Sequence, residues 1–507
     1  MSSQAYLIDT NVIIGLEDHK AVQPAFAALL ATAAKHKVDV LVHEAAKDDI
    51  NRDKNEKRRK VSLSKLDKFQ ILKKVRGLTK EALEKDFGPL PKPNDVVDST
   101  LLDALVRGVA DFLVTEDGRL HARARRHSPE LGRRVLFVAD AVQLLKTTYE
   151  PLATPVRYIQ EVQANEIQLT DPIFDSLRDG YPGFDKWWKD SCVRERRACW
   201  IIEDGGLAGI VVRKDEPASK TDATTKAEKI LKICTFKVSP EKRGVKLGEL
   251  FLKKIFWFAQ ANRYDLVYLT TFEDQVSLID LLEFYGFKHT ATKPDGELIY
   301  EKTFSTAPLL PETGVSNFDL DRLSYPRFVT GPGVEAFGVP IMEDYHDTLY
   351  PELKQQPGLF DGSLSASSQP GNTIRKVYLC RAQSNLGAAG SLLLFYKGKS
   401  VGEPSQAITA VGIFEDCQIA KSTKDLMLMT GGRSVYSEED LKAWEASPTK
   451  PVKVINYLLA GYIKPPITIQ ELKKLGIFGG HPPQSIFKIS PTHLALLLPR
   501  LRLGFTP

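Results

Sequence analysis

The chain has 507 residues, of which 43% are hydrophobic and 26% charged, and its net charge is +5. At about 150 residues per domain this length predicts three domains or two large ones, and the composition excludes a collagen, a coiled coil and a wholly disordered chain. The longest uncharged apolar stretches fall far short of the roughly 20 residues that a membrane span needs, and we expect no secretory signal. Five cysteines without a CxxC pair argue against a zinc ribbon and favour a reducing compartment, so we expect a cytoplasmic protein.

The positive charge is concentrated in two runs within the first 150 residues. Residues 47–80 hold 13 Lys or Arg against five Asp or Glu, and residues 119–134 hold six Arg against one Glu. A basic surface attracts polyanions such as nucleic acids by counterion release, whatever their sequence. The alternative is an ordinary solvated helix face.

Three blocks of different texture follow one another along the chain. In residues 1–150, short apolar strands alternate with helix-length segments, which predicts an α/β domain with a parallel sheet. Residues 155–306 mix strands with two amphipathic helices and predict an α+β domain. Residues 322–507 contain strands and many Gly and Pro turns, which is typical of a small β-rich barrel. We therefore expect a multidomain protein with these three domains.

Acidic residues follow the strands of the first block. Asp9 comes directly after the first strand, Glu44 follows the second, Asp98 lies on a helix, and Asp117 follows the next strand. Ligands of α/β sheets bind at this edge, and a carboxylate there is costly to bury without a compensating cation. Carboxylate oxygens without His or Cys suit Mg²⁺ or Mn²⁺ better than zinc. Two such ions can assist phosphodiester hydrolysis.

These residues give the first block its resemblance to a known family. DTN after the first strand, a Glu after the second, and the segment D…LL…G.ADFLVTED resemble the PIN-domain ribonucleases over residues 5–145. The resemblance implies that Asp9, Glu44, Asp98 and Asp117 are the catalytic metal ligands, with Asn11, Thr115 and Asp95 around them. Among the basic residues we expect RNA-phosphate contacts at Arg52, Arg58, Arg59, Arg123, Arg125 and Arg126.

The second block contains a strand, a basic turn RGVKLG and an amphipathic helix, followed by LVYLTTFEDQVSLIDLLEFYGF. A helix N-terminus can hold a pyrophosphate with backbone N–H groups. The segment resembles the GNAT acetyltransferases, which implies acetyl-CoA as cofactor. Lys246 stands where that family usually has Gly, and Leu282 stands where its general-acid Tyr is expected. The implied cofactor-binding residues are Phe236, Val238, Arg243, Gly244, Val245, Lys246, Leu247 and Gly248.

The third block resembles the ASCH group of PUA-like barrels through SLLLFYKGKS followed by AITAVG. That group is implicated in RNA binding. Aromatic side chains stack on bases and basic ones hold phosphates, so we expect RNA contacts at Arg381, Tyr396 and Lys397. The alternative for the aromatic residues is ordinary barrel core.

Together these patterns predict a divalent-metal endoribonuclease of PIN type that leaves 5′-phosphate and 3′-hydroxyl ends, with Mg²⁺ or Mn²⁺ as cofactor and RNA as substrate. Two alternatives stay open. One is a GNAT N-acetyltransferase acting on RNA, aminoacyl-tRNA or a protein amine, and the other is an RNA-binding regulator without catalysis. PIN, GNAT and ASCH modules recur in bacterial toxins and phage-defence systems. By that analogy we expect a toxin or defence role and an antitoxin or other protein partner.

Overall fold

The structure is a computed structural model, and it describes residues 4–14, 24–52, 54–66, 68–75, 78–150, 159–239, 246–331, 333–353, 373–400, 404–431, 438–478 and 482–503. None of the helices in these ranges has both the length and the apolar character that a bilayer crossing requires. Contacts divide the chain into two compact units. The first comprises Met1–Leu152, Ser422–Gly432 and Tyr436–Glu445, and the second comprises the rest. The three-domain division at 1–150, 155–306 and 322–507 stays a prediction.

The first unit contains a five-stranded parallel sheet in the order β3-β2-β1-β4-β5. Both faces of this sheet are covered, so the β1 residues Tyr6, Leu7 and Ile8 are all fully buried, as expected for a parallel sheet. Its strands are β1 (Ala5–Ile8), β2 (Asp39–His43), β3 (Gln70–Leu72), β4 (Phe112–Val114) and β5 (Val135–Leu136). Its helices are α1 (Thr10–Ile14), α2 (Pro24–Lys35), α3 (Ala45–Asn51), α4 (Glu56–Leu66), α5 (Lys80–Phe87), α6 (Pro93–Val106), α7 (Gly118–His127), α8 (Pro129–Arg133) and α9 (Val138–Tyr149).

The second unit begins with a seven-stranded mixed sheet in the order β11-β12-β10-β9-β8-β7-β6, in which β9 and β10 are the parallel pair. The strands are β6 (Gln160–Gln163), β7 (Ala198–Glu203), β8 (Leu207–Pro217), β9 (Lys229–Val238), β10 (Leu266–Thr271), β11 (Lys288–Thr292) and β12 (Leu298–Thr303). The helices are α10 (Asp175–Gly180), α11 (Phe184–Trp187), α12 (Leu247–Ala261) and α13 (Val276–Phe284).

A six-stranded mixed sheet completes the second unit, in the order β14-β17-β16-β15-β13-β18. Strands β14 and β18 stand at its two ends among the described residues, so the predicted barrel closure stays a prediction. The strands are β13 (Ala336–Ile341), β14 (Arg375–Cys380), β15 (Leu392–Lys397), β16 (Ala407–Ala420), β17 (Val452–Thr468) and β18 (Phe487–Ile489). The helices that precede and flank it are α14 (Asn317–Ser324) and α15 (Glu343–Leu349).

A helical insertion between β16 and β17 belongs to the first unit, although both of these strands belong to the third sheet. The insertion contains α16 (Thr423–Thr430) and α17 (Glu438–Ala443). Two further helices follow β17 in the second unit, α18 (Ile469–Lys474) and α19 (Pro491–Leu497). Leu428 packs on the core of the first unit, and Lys424 forms an ion pair with Asp111 (3.0 Å). Asp111 directly precedes β4, so the insertion contacts the edge of the sheet opposite to Asp9.

The two sheets of the second unit share one core because α12 presents a stripe of side chains to the third sheet. Glu249 Oε1 accepts hydrogen bonds from the backbone N–H groups of Ile374 (2.8 Å) and Arg375 (3.0 Å) at the start of β14. Lys253 and Trp257 continue the stripe at intervals of four residues, which places them on the same helix face. Lys253 forms an ion pair with Glu352, and Trp257 packs edge-on against Tyr462.

A buried carboxylate on α14 makes the stability of the second unit depend on pH. Asp321 is fully buried; its Oδ1 accepts a hydrogen bond from Val329 N (2.6 Å), while Oδ2 has no partner among the described groups. Burial raises the pKa of Asp321 from 3.8 to about 8, against the lowering effect of that hydrogen bond. The folded state therefore holds the proton more tightly than the unfolded state. Its contribution to stability is greatest below about pH 4 and declines as the pH rises towards 8.

Asp321→Asn removes this buried charge. We expect the variant to unfold at a temperature several degrees above the parent at about pH 8.5, and within about 2 °C of it at about pH 4, because only the charged form of Asp321 is penalised. Circular dichroism melts at both pH values measure the difference. An identical shift at both would show that Asp321 does not titrate as described.

Candidate functional site

The point where the strand order of the first sheet reverses carries the candidate site. Strands β1 and β4 are neighbours, and the chain leaves β1 towards β2 on one side and β4 towards β5 on the other. Asp9 directly follows β1, and Asp117 lies three residues beyond the end of β4. Such a reversal opens a crevice at the carboxyl ends of the strands, where ligands of open α/β sheets bind.

Two hydroxyl groups hold the carboxylate of Asp9, which is only 4% exposed. Thr10 Oγ1 donates to Oδ1 (3.1 Å) and Thr115 Oγ1 donates to Oδ2 (2.7 Å). Burial raises the pKa of Asp9 to about 6, although both hydroxyl groups lower it. Asn11 joins the same network by donating to Thr115 Oγ1 (3.1 Å), and its supporting role in a metal site stays a prediction.

Asp98 brings further negative charge to the crevice from α6. Burial is the largest cause that raises its pKa to about 8, followed by the charges of Asp9, Asp117 and Asp49. These three acids therefore lie near enough to Asp98 to disfavour its ionised form. Asp117 itself caps α7, where Oδ1 accepts from Arg119 N (2.8 Å).

Glu44 does not join this group. Its carboxylate accepts hydrogen bonds from Lys74 N (3.2 Å) and Lys73 Nζ (3.2 Å), and the first of these is the largest cause of a lowered pKa of Glu44. Asp49 on α3 takes the place predicted for Glu44, because Thr10 Oγ1 contacts both Asp9 and Asp49 Oδ2 (3.2 Å). Five residues of helix correspond to about 140°, so Glu44 and Asp49 point in different directions, but this spacing does not indicate which of the two faces the crevice.

Asp95 is placed differently from its predicted supporting role beside the acids. Its Oδ2 accepts from Lys92 N (2.8 Å) at the start of α6, and its Oδ1 pairs with Arg123 (2.9 Å). Arg123 also contacts Ser99 Oγ (3.5 Å), and its side chain is 11% exposed. The expected phosphate contact at Arg123 is thus corrected, because this guanidinium joins α6 to α7 within the unit.

The other predicted RNA-binding arginines of the first unit differ in how much they expose. Arg126 is exposed on α7, and Arg125 and Arg59 are half-buried. Arg52 pairs with Asp49 and donates to Asn94 Oδ1 (3.0 Å), which places it beside the acids. The side chain of Arg58 lies outside the described residues.

The donor chemistry of the crevice suits a hard divalent cation. The described residues contain no group of three or more His, Cys, Asp or Glu side chains already spaced to hold a metal ion. The charges of Asp9 and Asp117 nevertheless add to the effect of burial in disfavouring the ionised form of Asp98, and a bound dication would relieve that repulsion. Oxygen donors without thiol or imidazole match Mg²⁺ or Mn²⁺.

A second candidate site lies where β9 and β10 separate. The last paired residues are Ile233 and Leu269, although β9 continues to Val238 and β10 to Thr271. Predicted residues Phe236 and Val238 lie on the separated part of β9. The sheet is therefore open between these strands.

The helix next to this opening begins at the predicted cofactor turn. Lys246 has a left-handed backbone (φ 61°) and precedes the first residue of α12, Leu247. A Cβ at Gly248 would meet only Leu281 and Phe236, at 3.8 and 3.9 Å, so the start of α12 is uncrowded. Arg243, Gly244 and Val245 lie outside the described residues.

Among the described residues near this opening, no side chain matches the general acid that the resemblance implies. Leu282 is fully buried. The hydroxyl of Tyr285 donates to Glu249 Oε1 (3.2 Å), and Glu283 Oε1 accepts from Tyr300 (3.0 Å). Both neighbouring polar groups are thus bonded within the second unit.

Two of the three RNA contacts predicted in the last block are corrected by burial. Tyr396 is 1% exposed and packs against Phe478, while Lys397 is 2% exposed and pairs with Asp347 (3.0 Å). They belong to the core of the third sheet, where all six residues of β15 are buried. Arg381 is exposed just beyond β14.

No protein-family model and no curated protein matches the chain. Among solved structures, ASCH from Zymomonas mobilis aligns with 32% of this chain and 94% of its own, at 17% identity and a TM-score of 0.23. The PaiA N-acetyltransferase from Thermoplasma acidophilum, in complex with coenzyme A, aligns with 29% of this chain and 99% of its own, at 13% identity and a TM-score of 0.24. The chain is weakly similar in structure to both. Likeness at these TM-scores carries no argument about function.

Proposed function

We propose that the first unit is a divalent-metal-dependent endoribonuclease of PIN type. This proposal is supported by two observations: Asp9 and Asp117 follow the adjacent strands β1 and β4 at the reversal of strand order, and burial together with the charges of these acids raises the pKa of Asp98 to about 8. Asp49 replaces Glu44 in the proposed set of acids. The test is RNA cleavage by the full chain with Mn²⁺, compared with an Asp9 variant.

The residues around the acids have distinct roles in this proposal. Asp9, Asp98 and Asp117 would hold Mg²⁺ or Mn²⁺, which when bound activates water and stabilises the leaving oxygen of a phosphodiester. The hydroxyl groups of Thr10 and Thr115 keep Asp9 in one orientation. Exposed arginines of α7, of which Arg126 is one, would receive the RNA backbone, because phosphate contacts position a nucleic acid without reading its sequence.

Asp98→Asn tests whether the acids hold a cation. Without divalent ions we expect the variant to unfold at a higher temperature than the parent, because a source of like-charge repulsion is removed. Mn²⁺ at 100 times its Kd stabilises a protein that binds it by about 2.7 kcal/mol, so Mn²⁺ should raise the melting temperature of the parent by several degrees and leave the variant unchanged. Differential scanning calorimetry measures both effects.

Asp95→Asn is the matched control. It lies one helix turn before Asp98 but caps α6 and pairs with Arg123, so this variant should lose stability and keep the Mn²⁺ shift. If Mn²⁺ stabilises Asp98→Asn as much as the parent, the acids do not form the site.

A second candidate function is favoured by the separation of β9 from β10. We propose that the opening binds acetyl-CoA, with the start of α12 facing the pyrophosphate. Within the described part of this site, no side chain stands where a general acid for acetyl transfer is expected, since Leu282 is apolar. The proposal is therefore one of cofactor binding, and transfer to RNA, aminoacyl-tRNA or a protein amine would need an acid from the acceptor or from water.

Lys246→Glu tests this second candidate. A carboxylate at the start of α12 should weaken acetyl-CoA binding at least about tenfold, because it repels the pyrophosphate that the helix N-terminus attracts. Isothermal titration calorimetry measures the Kd, and Lys288→Glu on exposed β11 is the control with the same charge change. Absence of acetyl-CoA binding by the parent would leave the second sheet as a scaffold.

A further inference from the structure

An open groove lies beside the ends of three neighbouring strands of the third sheet. It has a volume of about 530 Å³ and is bordered by the loop from Ser384 to Gly387, by β16 and by Lys453 of β17. Pockets for small ligands usually measure roughly 300–1,000 Å³. The groove lies wholly in the second unit and is separate from both sites described above.

The floor of the groove is apolar. Leu386 and Phe414 line it and also belong to a core cluster, where each is 5% exposed. Ile419 forms a wall and is 42% exposed, so its side chain is accessible to a ligand. A flat apolar ring can be covered on one side by this surface.

The same groove has a cationic end. Lys453 stands opposite Cys380 of β14 and opposite Ile419 of β16, so the three side chains share one face of the sheet. Its ammonium group donates to Ser384 O (2.7 Å), which fixes it at the border of the groove. Asp416 also lines the groove, and its Oδ1 accepts a hydrogen bond from Asn456 Nδ2 (2.7 Å).

We propose that this groove binds a nucleoside monophosphate, with the base against Ile419 and the phosphate at Lys453. An apolar floor accepts a ring, and the ammonium group of Lys453 at the border attracts an anion attached to that ring. The ligand chemistry is the same for a free nucleotide and for the 5′-phosphorylated end of an RNA. The proposal does not depend on the nuclease assignment, because it concerns binding without metal.

Adenosine 5′-monophosphate is the probe, titrated calorimetrically into the full chain with EDTA present. Lys453→Met keeps the length of the side chain and removes its charge, and it should weaken binding by about tenfold or more because a charge-assisted contact is lost. Ile419→Asp changes an exposed position and should weaken binding at least as much. Lys450→Met, an exposed lysine three residues before Lys453, should bind as the parent does.

Two further ligands test the contribution of the phosphate and show whether the groove prefers a free nucleotide or an RNA end. Adenosine should bind about tenfold more weakly than its monophosphate. Tighter binding of a 5′-phosphorylated RNA tetramer than of the free nucleotide would assign the groove to RNA ends, and the reverse order would assign it to free nucleotides. The proposal is overturned if the parent shows no binding at about 1 mM ligand, or if Lys453→Met and Ile419→Asp both bind as tightly as the parent.

Discussion

Asp9→Asn is expected to reduce Mn²⁺-dependent cleavage of single-stranded RNA by at least about 100-fold, the upper end of what the loss of even an outer partner of a metal site costs. The carboxamide has nearly the shape of the carboxylate and can still accept from Thr10 or Thr115, but it is a poor metal ligand. The fold should therefore be preserved, as circular dichroism can show. Cleavage of a labelled RNA, followed by gel, measures the effect.

Variants of Glu44 and Asp49 show which of these two acids contributes to RNA cleavage. Glu44→Gln should cleave within about threefold of the parent, because Glu44 pairs with Lys73 outside the crevice. Asp49→Asn should lose about tenfold, because Asp49 shares Thr10 with Asp9. If Glu44→Gln is as inactive as Asp9→Asn, the family-based assignment of Glu44 is right and the placement of Asp49 carries no role.

Glu249→Ala is expected to lower the free energy of unfolding of the second unit by about 4 kcal/mol. The substitution leaves the backbone N–H groups of Ile374 and Arg375 buried without their acceptor, and each such group costs roughly 1–3 kcal/mol. It also removes the partner of the Tyr285 hydroxyl. Urea unfolding followed by tryptophan fluorescence measures the change, since Trp200, Trp188 and Trp257 all lie in this unit.

The two sheets of the second unit should respond to this change together. A single transition that shifts as a whole is expected, because α12 and β14 share one buried contact. Glu249→Gln retains an acceptor and should cost about 1–2 kcal/mol, while the exposed Glu273→Ala should stay within about 0.5 kcal/mol of the parent. Two separate transitions in the parent would contradict a shared core.

Much of this architecture can be predicted from the sequence wherever a short apolar run is bounded by turn residues. The apolar runs Ala5–Ile8 and Leu266–Thr271 form strands, and the acids that follow β1 and β4 lie at the same edge of the parallel sheet. Helical spacing also explains Asp103, which lies about 140° from Asp98 and pairs with Arg107 outside the acid group. The orientation of such residues can be predicted because it depends only on the periodicity of their own helix or strand.

Other features depend on contacts between distant segments. Asp49 approaches Asp9 only through Thr10, and Glu44 is drawn away by Lys73 and Lys74, whose position follows from β3 pairing with β2. The insertion at α16 attaches to the first unit through Lys424, 313 residues beyond its partner Asp111. Neither contact leaves a periodic trace in the sequence. The RNA contacts predicted for Tyr396 and Lys397 also failed because of contacts with distant segments. These contacts bury the polar and apolar side chains of β15 alike.

Crystals of the full chain soaked in Mn²⁺ and measured at the manganese absorption edge test the central claim most directly. We expect an anomalous peak in contact with carboxylate oxygens of Asp9 and Asp98, and no peak at Glu44. An acid group without manganese, with Asp98 instead turned into an ion pair with a neighbouring arginine such as Arg123, would contradict the proposed metal site and the nuclease function that depends on it.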